Sequence, residues 1–132
     1  MHTIEKQVLR TGPFAALIAE AVRVGDTVYL SGAVSVDDNG EVLHPGDLEA
    51  QMTQCYNAIS ATLAEFDADL SNIVDETWFV TDVAEAMANL ESVFGARAVA
   101  FGEQPAITQT CVEVSALVMP ELVIEIKAVA RV

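Results

Sequence analysis

Basic residues are scarce in this chain. Six Lys and Arg stand against twenty Asp and Glu in 132 residues, a formal net charge of −14. That imbalance argues against nucleic-acid binding, duplex or single-stranded, which is driven mainly by Lys and Arg contacts to phosphate. It disfavours anionic membrane surfaces for the same reason. What remains is a solvated, self-repelling surface, and the charge names no substrate. Histidine and cysteine are equally sparse, two of each. Neither His2 nor His44 has Cys, His or carboxylate partners at ligand spacing, so no metal site is expected. Cys55 falls in a helical pattern and Cys111 in a strand pattern, with no shared motif spacing. Both are read as reduced thiols of a cytoplasmic protein. No apolar run approaches the roughly 20 residues that span a bilayer. The first ten residues, MHTIEKQVLR, lack the apolar stretch of a secretory signal.

Apolar residues are plentiful, at 52%. With that content the charge does not imply disorder. The length fits a single domain, 1–132, which buries roughly two-thirds of its unfolded surface. Residues 20–32, EAVRVGDTVYLSG, read as two short strands around a tight turn at Gly25-Asp26. Asn39-Gly40 lies between two further extended segments, the strongest short hairpin signal. The acidic cluster Asp37 to Glu41 lacks the ligand order of a calcium loop and reads as a turn. Pro45-Gly46-Asp47 opens a helix whose apolar stripe is Leu48, Met52, Cys55, Ile59, Leu63 and Phe66. Ile73 to Val80 reads as a strand. Asp82 and Glu85 then form a capping pair for a second helix. Its expected stripe is Val83, Met87, Leu90, Phe94 and Phe101, ended by Gly102 and Pro105. Two strands finish the chain. In the first, Ile107, Gln109, Cys111 and Glu113 share a face; in the second, Leu122, Ile124, Ile126, Ala128 and Ala130 do. The order predicts an α+β layer, a mixed sheet with two helices on one face. The other face, with Val123, Val129, Val112 or Cys111, and Trp78 or Phe79, is half apolar and predicts self-association.

Four segments carry a family resemblance: VRVGDTVYLSG (22–32), the DDNGE turn, the stretch from Asp47 to Val83, and CVEVSALVMPELVIEIKAVA (111–130). In this order they span essentially the whole chain, and it resembles the RidA/YjgF family. The resemblance implies a chorismate-mutase-like fold and a homotrimer whose sheets form a barrel, with ligand clefts between subunits. It also implies hydrolysis of small reactive enamines or imines, such as 2-aminoacrylate, to 2-oxo acids and ammonia, with no cofactor.

The hallmark Pro-Ala-Arg-Ser/Thr, whose Arg would grip a substrate carboxylate as a fork, is altered. Aligning on Pro105-Ala106 puts Ile107 at the Arg position; aligning on Cys111-Val112-Glu113-Val114 puts Gln109 there. No Lys or Arg lies between Arg97 and Lys127. The family's Gly-Pro-Tyr-Ser is Gly12-Pro13-Phe14-Ala15, its Ser-Gly-Gln is Ser31-Gly32-Ala33, and its late glutamate is retained as Glu125. The resemblance therefore implies Glu125 as the general acid/base, with Gln109, Ile107, Thr108, Cys111, Ser31, Gly32 and Phe14 lining the substrate site. Loss of an ionic partner for a carboxylate costs about 2–5 kcal/mol, so activity on 2-aminoacrylate is expected to be weak. Three function classes follow: an enamine/imine hydrolase or tautomerase, a non-catalytic small-metabolite-binding trimer, and the family's reputed ribonuclease role, which the charge opposes. For Glu125 two readings compete, a half-buried acid with a raised pKa or an ion pair with Lys127 and a lowered one.

Overall fold

The architecture comes from a computed structural model that describes residues 3–132; His2 lies outside them. Period-two alternation builds its sheet. Strands β1 (Gln7–Leu9), β2 (Ala21–Val24) and β3 (Thr27–Leu30) form an antiparallel meander. Gly25, at φ 57°, supplies the left-handed turn between β2 and β3. The final strand, β6 (Ile124–Arg131), pairs antiparallel with β3 on one side. On its other side it pairs with β4 (Ile73–Val80), also antiparallel. Strand β5 (Thr108–Glu113) lies parallel to β4 at the far edge, so the order is β1-β2-β3-β6-β4-β5.

Helix α1 (Leu48–Ala64) begins where the sequence predicts. The Asp47 carboxylate caps it by accepting from the Ala50 amide at 3.2 Å. Its whole stripe is buried, as are Leu122, Ile124, Ile126, Ala128 and Ala130. Each large side chain in that interface contributes about 1.5–3 kcal/mol through burial. The 36–42 segment closes as a turn with a single bridge, Val36 to Val42. The Asp37 carboxylate accepts the amides of Asn39 and Glu41 there.

The second helix departs from its expected form. It breaks at Asn89 into α2 (Val83–Ala88) and α3 (Leu90–Phe101). Met87 and Leu90, expected in the core, are 45% and 48% exposed, whereas Ala86, Val93 and Arg97 are buried. The buried face keeps its helical spacing across the break, from Ala86 to Val93 and Arg97, but runs one residue before Met87 and Phe94, and it carries the buried ion pair of Arg97 with Glu76. Trp78 and Cys111 face the helices, while Phe79 and Val112 lie on the opposite, open face of the sheet.

Candidate active site

Strand β3 ends in an irregularity that shapes the site. Tyr29 pairs with Val129, but Ala33 bridges Ile126, so the register moves by one residue across 30–32. Such a bulge re-aims local groups. It brings Gly32 under Glu125, and a Cβ on Gly32 would overlap the Glu125 carboxylate. Glycine is needed there for close approach. Glu125 is half-buried, and desolvation pushes its carboxyl above the ordinary range, with Lys127 only partly offsetting it. Lys127 does not close an ion pair. Its Nζ donates to the Leu30 carbonyl at 3.0 Å. Of the two competing readings of Glu125, burial prevails.

A cavity of about 310 Å³ lies against the same glycine. Its walls are the 11–20 segment with Phe14 and Glu20, the end of β3 with Ser31 and Gly32, the 36–38 turn, and Ala58, Ala61 and Thr62 of α1. That volume suits a small molecule. Ser31 assembles the walls: its Oγ donates to the Ala19 carbonyl at 2.7 Å and its amide to the Glu20 carbonyl at 3.0 Å. Its hydroxyl proton is thereby committed to scaffolding. Glu20 is half-buried as well, and burial pushes its carboxyl upward. No Lys or Arg lines this cavity. Of the residues expected from the sequence, Phe14, Ser31 and Gly32 line this cavity, while Glu125 touches it only through Gly32. Sequence reasoning missed Glu20 and the α1 wall, because only the folded chain packs the 11–20 segment beside α1.

The remaining expected site residues lie elsewhere in the chain. Strand β5 is separated from β3 by β6 and β4. Ile107 and Cys111 pack toward the core cluster on the helix side of the sheet. Burial raises the Cys111 thiol pKa, which leaves less thiolate for attack. Thr108 Oγ1 reaches Asp75 Oδ1 at 2.6 Å. Gln109 donates through Nε2 to Glu76 Oε2 at 3.0 Å. That oxygen also pairs with Arg97 Nε at 2.7 Å, while Tyr56 donates to Glu76 Oε1 at 2.7 Å and Trp78 Nε1 to the Tyr56 hydroxyl at 3.1 Å. Gln109 thus completes a structural network around a buried charge pair. A signal for this network was present in the sequence: strand alternation puts Glu76 on the same face as Trp78 and Val80.

A six-stranded mixed sheet carrying helices on one face, with a carboxylate held over a glycine beside a small cavity, defines an α+β protein of the YjgF structural class. The chain belongs to the RidA/YjgF family: the family described as Endoribonuclease L-PSP matches residues 10–132. Among its relatives, the 3-aminoacrylate deaminase RutC of Acinetobacter baylyi is 33% identical over 123 residues, covering 92% of each chain. The 2-iminobutanoate/2-iminopropanoate deaminase of Mus musculus is 29% identical over 86 residues, 63% of this chain and 64% of the mouse protein. The crystal structure of the Rid-family protein YyfA from Yersinia pestis, of unknown function, matches with a TM-score of 0.83 at 27% identity, covering 97% of this chain and 100% of that one.

Proposed function

We propose that this protein is a deaminase of small reactive enamines or imines, working in a homotrimer at clefts between subunits, with poor activity on 2-aminoacrylate. The observation that carries this reading is the half-buried Glu125 carboxylate seated over Gly32, a glycine that also lines the cavity. A carboxyl with a raised pKa can take a proton and return it near neutral pH. Hydrolysis of an imine needs both transfers. Water adds to the C=N carbon and loses a proton to Glu125. Glu125 passes that proton to the nitrogen, giving a neutral carbinolamine. The carbinolamine hydroxyl then gives up its own proton, which reaches the nitrogen through the same carboxylate, and the C–N bond breaks to release the carbonyl compound and ammonia. Water and one carboxylate suffice, with no cofactor. Relatives named as aminoacrylate and iminobutanoate deaminases support the substrate class.

The poor fit to 2-aminoacrylate follows from the charges. No Lys or Arg lines the cavity, and Gln109 is held by Glu76. In the trimer, β5 of a neighbouring subunit would supply Thr108 and the surroundings of Ile107, Gln109 and Cys111 to the cleft. The half-apolar open face, with Tyr29 at 51% and Val112 at 38% exposed, supports that assembly. Light scattering should give about three times the monomer mass of 14.1 kDa. The decisive assay generates 2-aminoacrylate and a carboxylate-free imine in separate reactions and follows their decay. Acceleration of the second, lost in Glu125→Gln, supports the reading. No acceleration of either would leave a metabolite-binding trimer instead.

A further inference from the structure

We propose that the cavity beside Gly32 selects a small organic cation, an iminium or ammonium group on a short apolar skeleton without a carboxylate, with Glu20 as its counter-ion. The cavity is walled chiefly by apolar side chains, among them Phe14, Ile18, Val36 and Ala61. Among the described residues, its charged members are Glu20, Asp37 and Asp38. These carboxylates are not equivalent. Asp37 is committed to the turn, its Oδ1 accepting the amides of Asn39 and Glu41 at 2.8 and 2.9 Å. Asp38 is exposed to solvent. Glu20 is the half-buried one, and among the described residues its carboxylate accepts no hydrogen bond.

The cations nearest in sequence do not answer it. Arg10 donates to the Ala15 carbonyl at 3.2 Å, and Arg23 to the Gly25 carbonyl at 2.8 Å. Neither lines the cavity. Burial is the one cause that raises the Glu20 carboxyl, with no offsetting cation beside it. Within one subunit, among the described residues, an anion entering here would meet carboxylates and no counter-charge. A cation would gain the Coulomb partner that Glu20 lacks, in a setting less screened than water. Phe14 adds an aromatic wall, a surface that attracts organic cations. An imine has a basic nitrogen, so a neighbouring carboxylate favours its protonated, more electrophilic form. Gly32 is shared between this cavity and the Glu125 carboxylate, which would put an occupant next to the acid/base group. The inference rests on the imine reading for the occupant's chemical role, but not for the sign of its charge.

The test uses three probes of one ring size and different charge, read by calorimetric or NMR titration of the intact protein: pyrrolidinium, cyclopentanol and cyclopentanecarboxylate. Pyrrolidinium should bind about tenfold more tightly than either of the others, the scale of one partly screened ion pair. Glu20→Gln should remove that preference and leave cyclopentanol binding unchanged. Ala61→Trp, at an exposed position on the α1 wall, should block all three probes by filling the cavity. Cyclopentanecarboxylate binding as tightly as pyrrolidinium would overturn the proposal. So would a cation preference that survives Glu20→Gln, or saturable binding untouched by Ala61→Trp, or no saturable binding of pyrrolidinium at all. None of these readouts involves turnover. A protein inert toward every imine that still prefers the cation would refute the proposed reaction and leave this inference standing.

Discussion

Two carboxylates in this molecule have opposite surroundings. Glu76 is 1% exposed and fully answered, by Arg97, Tyr56 and Gln109. Glu125 is half-buried and, among the described residues, has no ion-pair partner, since Lys127 donates to a backbone carbonyl. A buried charge persists only when its partners satisfy it. Glu76 therefore reads as architecture, tying α3 to the sheet through Arg97, whose guanidinium also lies 5.5 Å from the Phe94 ring centroid. Glu125 is left able to change its protonation state. Of the two, only the less satisfied carboxylate is open to proton exchange with a bound molecule. The contrast also shows that Gln109, one of the two positions with Ile107 at which the family's arginine could align, serves the structural cluster within its own chain.

The largest expected effect breaks the satisfied side. Arg97→Met should leave Glu76 buried without its charge partner and cost about 3–5 kcal/mol, read as a lower urea midpoint. Removing both charges in Glu76→Leu/Arg97→Met should recover most of that loss, because the desolvation penalty goes with them. Full additivity of the two single variants would refute the coupling.

The reactive side should fail through geometry. Gly32→Ala puts a methyl where the Glu125 carboxylate sits. The displaced carboxylate should lower kcat/KM on any imine substrate by about 10²-fold, with a stability loss of about 1–3 kcal/mol. Unchanged kinetics would detach Glu125 from the site.

Smaller changes sharpen the contrast. Gln109→Ala should cost about 1–2 kcal/mol, because one hydrogen bond to the Glu76 carboxylate is lost. Gln109→Arg should destabilise too, since it crowds a second guanidinium against an oxygen already paired with Arg97. A gain of stability in Gln109→Arg, measured by denaturant titration, would mean the network has room for another charge.

The smallest effect is a matter of pH. Glu125 has a folded-state pKa raised by burial. Its ionisation therefore opposes folding, with no cost below the unfolded value near 4.5 and a full cost above the folded value. Glu125→Gln should stabilise the protein at pH 7 by less than about 1 kcal/mol, given the remaining solvation. That gain should vanish as pH falls below the unfolded value. A destabilised variant at neutral pH would reverse the sign and restore the Lys127 ion-pair reading.

Much of the framework was legible along the chain because its signals are local. The stripe from Leu48 to Phe66, the Asp47 and Asp82 caps, and the alternation of Ile124 to Ala130 depend on spacings of two to four residues. The closeness of Phe14, Ser31 and Gly32 around one cavity, and of Gly32 to Glu125, has no spacing signature, since no local rule links residues so far apart in the chain. The Asn89 break was not legible, because Met87 and Leu90 continue the helical period; nor was the buried face, which runs through Ala86, Val93 and Arg97 instead of Met87 and Leu90.

The sequence by itself determined the acidic surface, the strand and helix segments, and the absence of a basic residue between Arg97 and Lys127. Tertiary structure alone decided which charges are spent and which remain free. Glu76 and Arg97, 21 positions apart, became a buried pair, while Glu20 and Glu125 were left half-desolvated without a salt-bridge partner among the described residues. The reason is physical: a carboxylate's pKa and reactivity are set by burial and by charges within a few ångströms, and those neighbours are fixed only when distant segments pack.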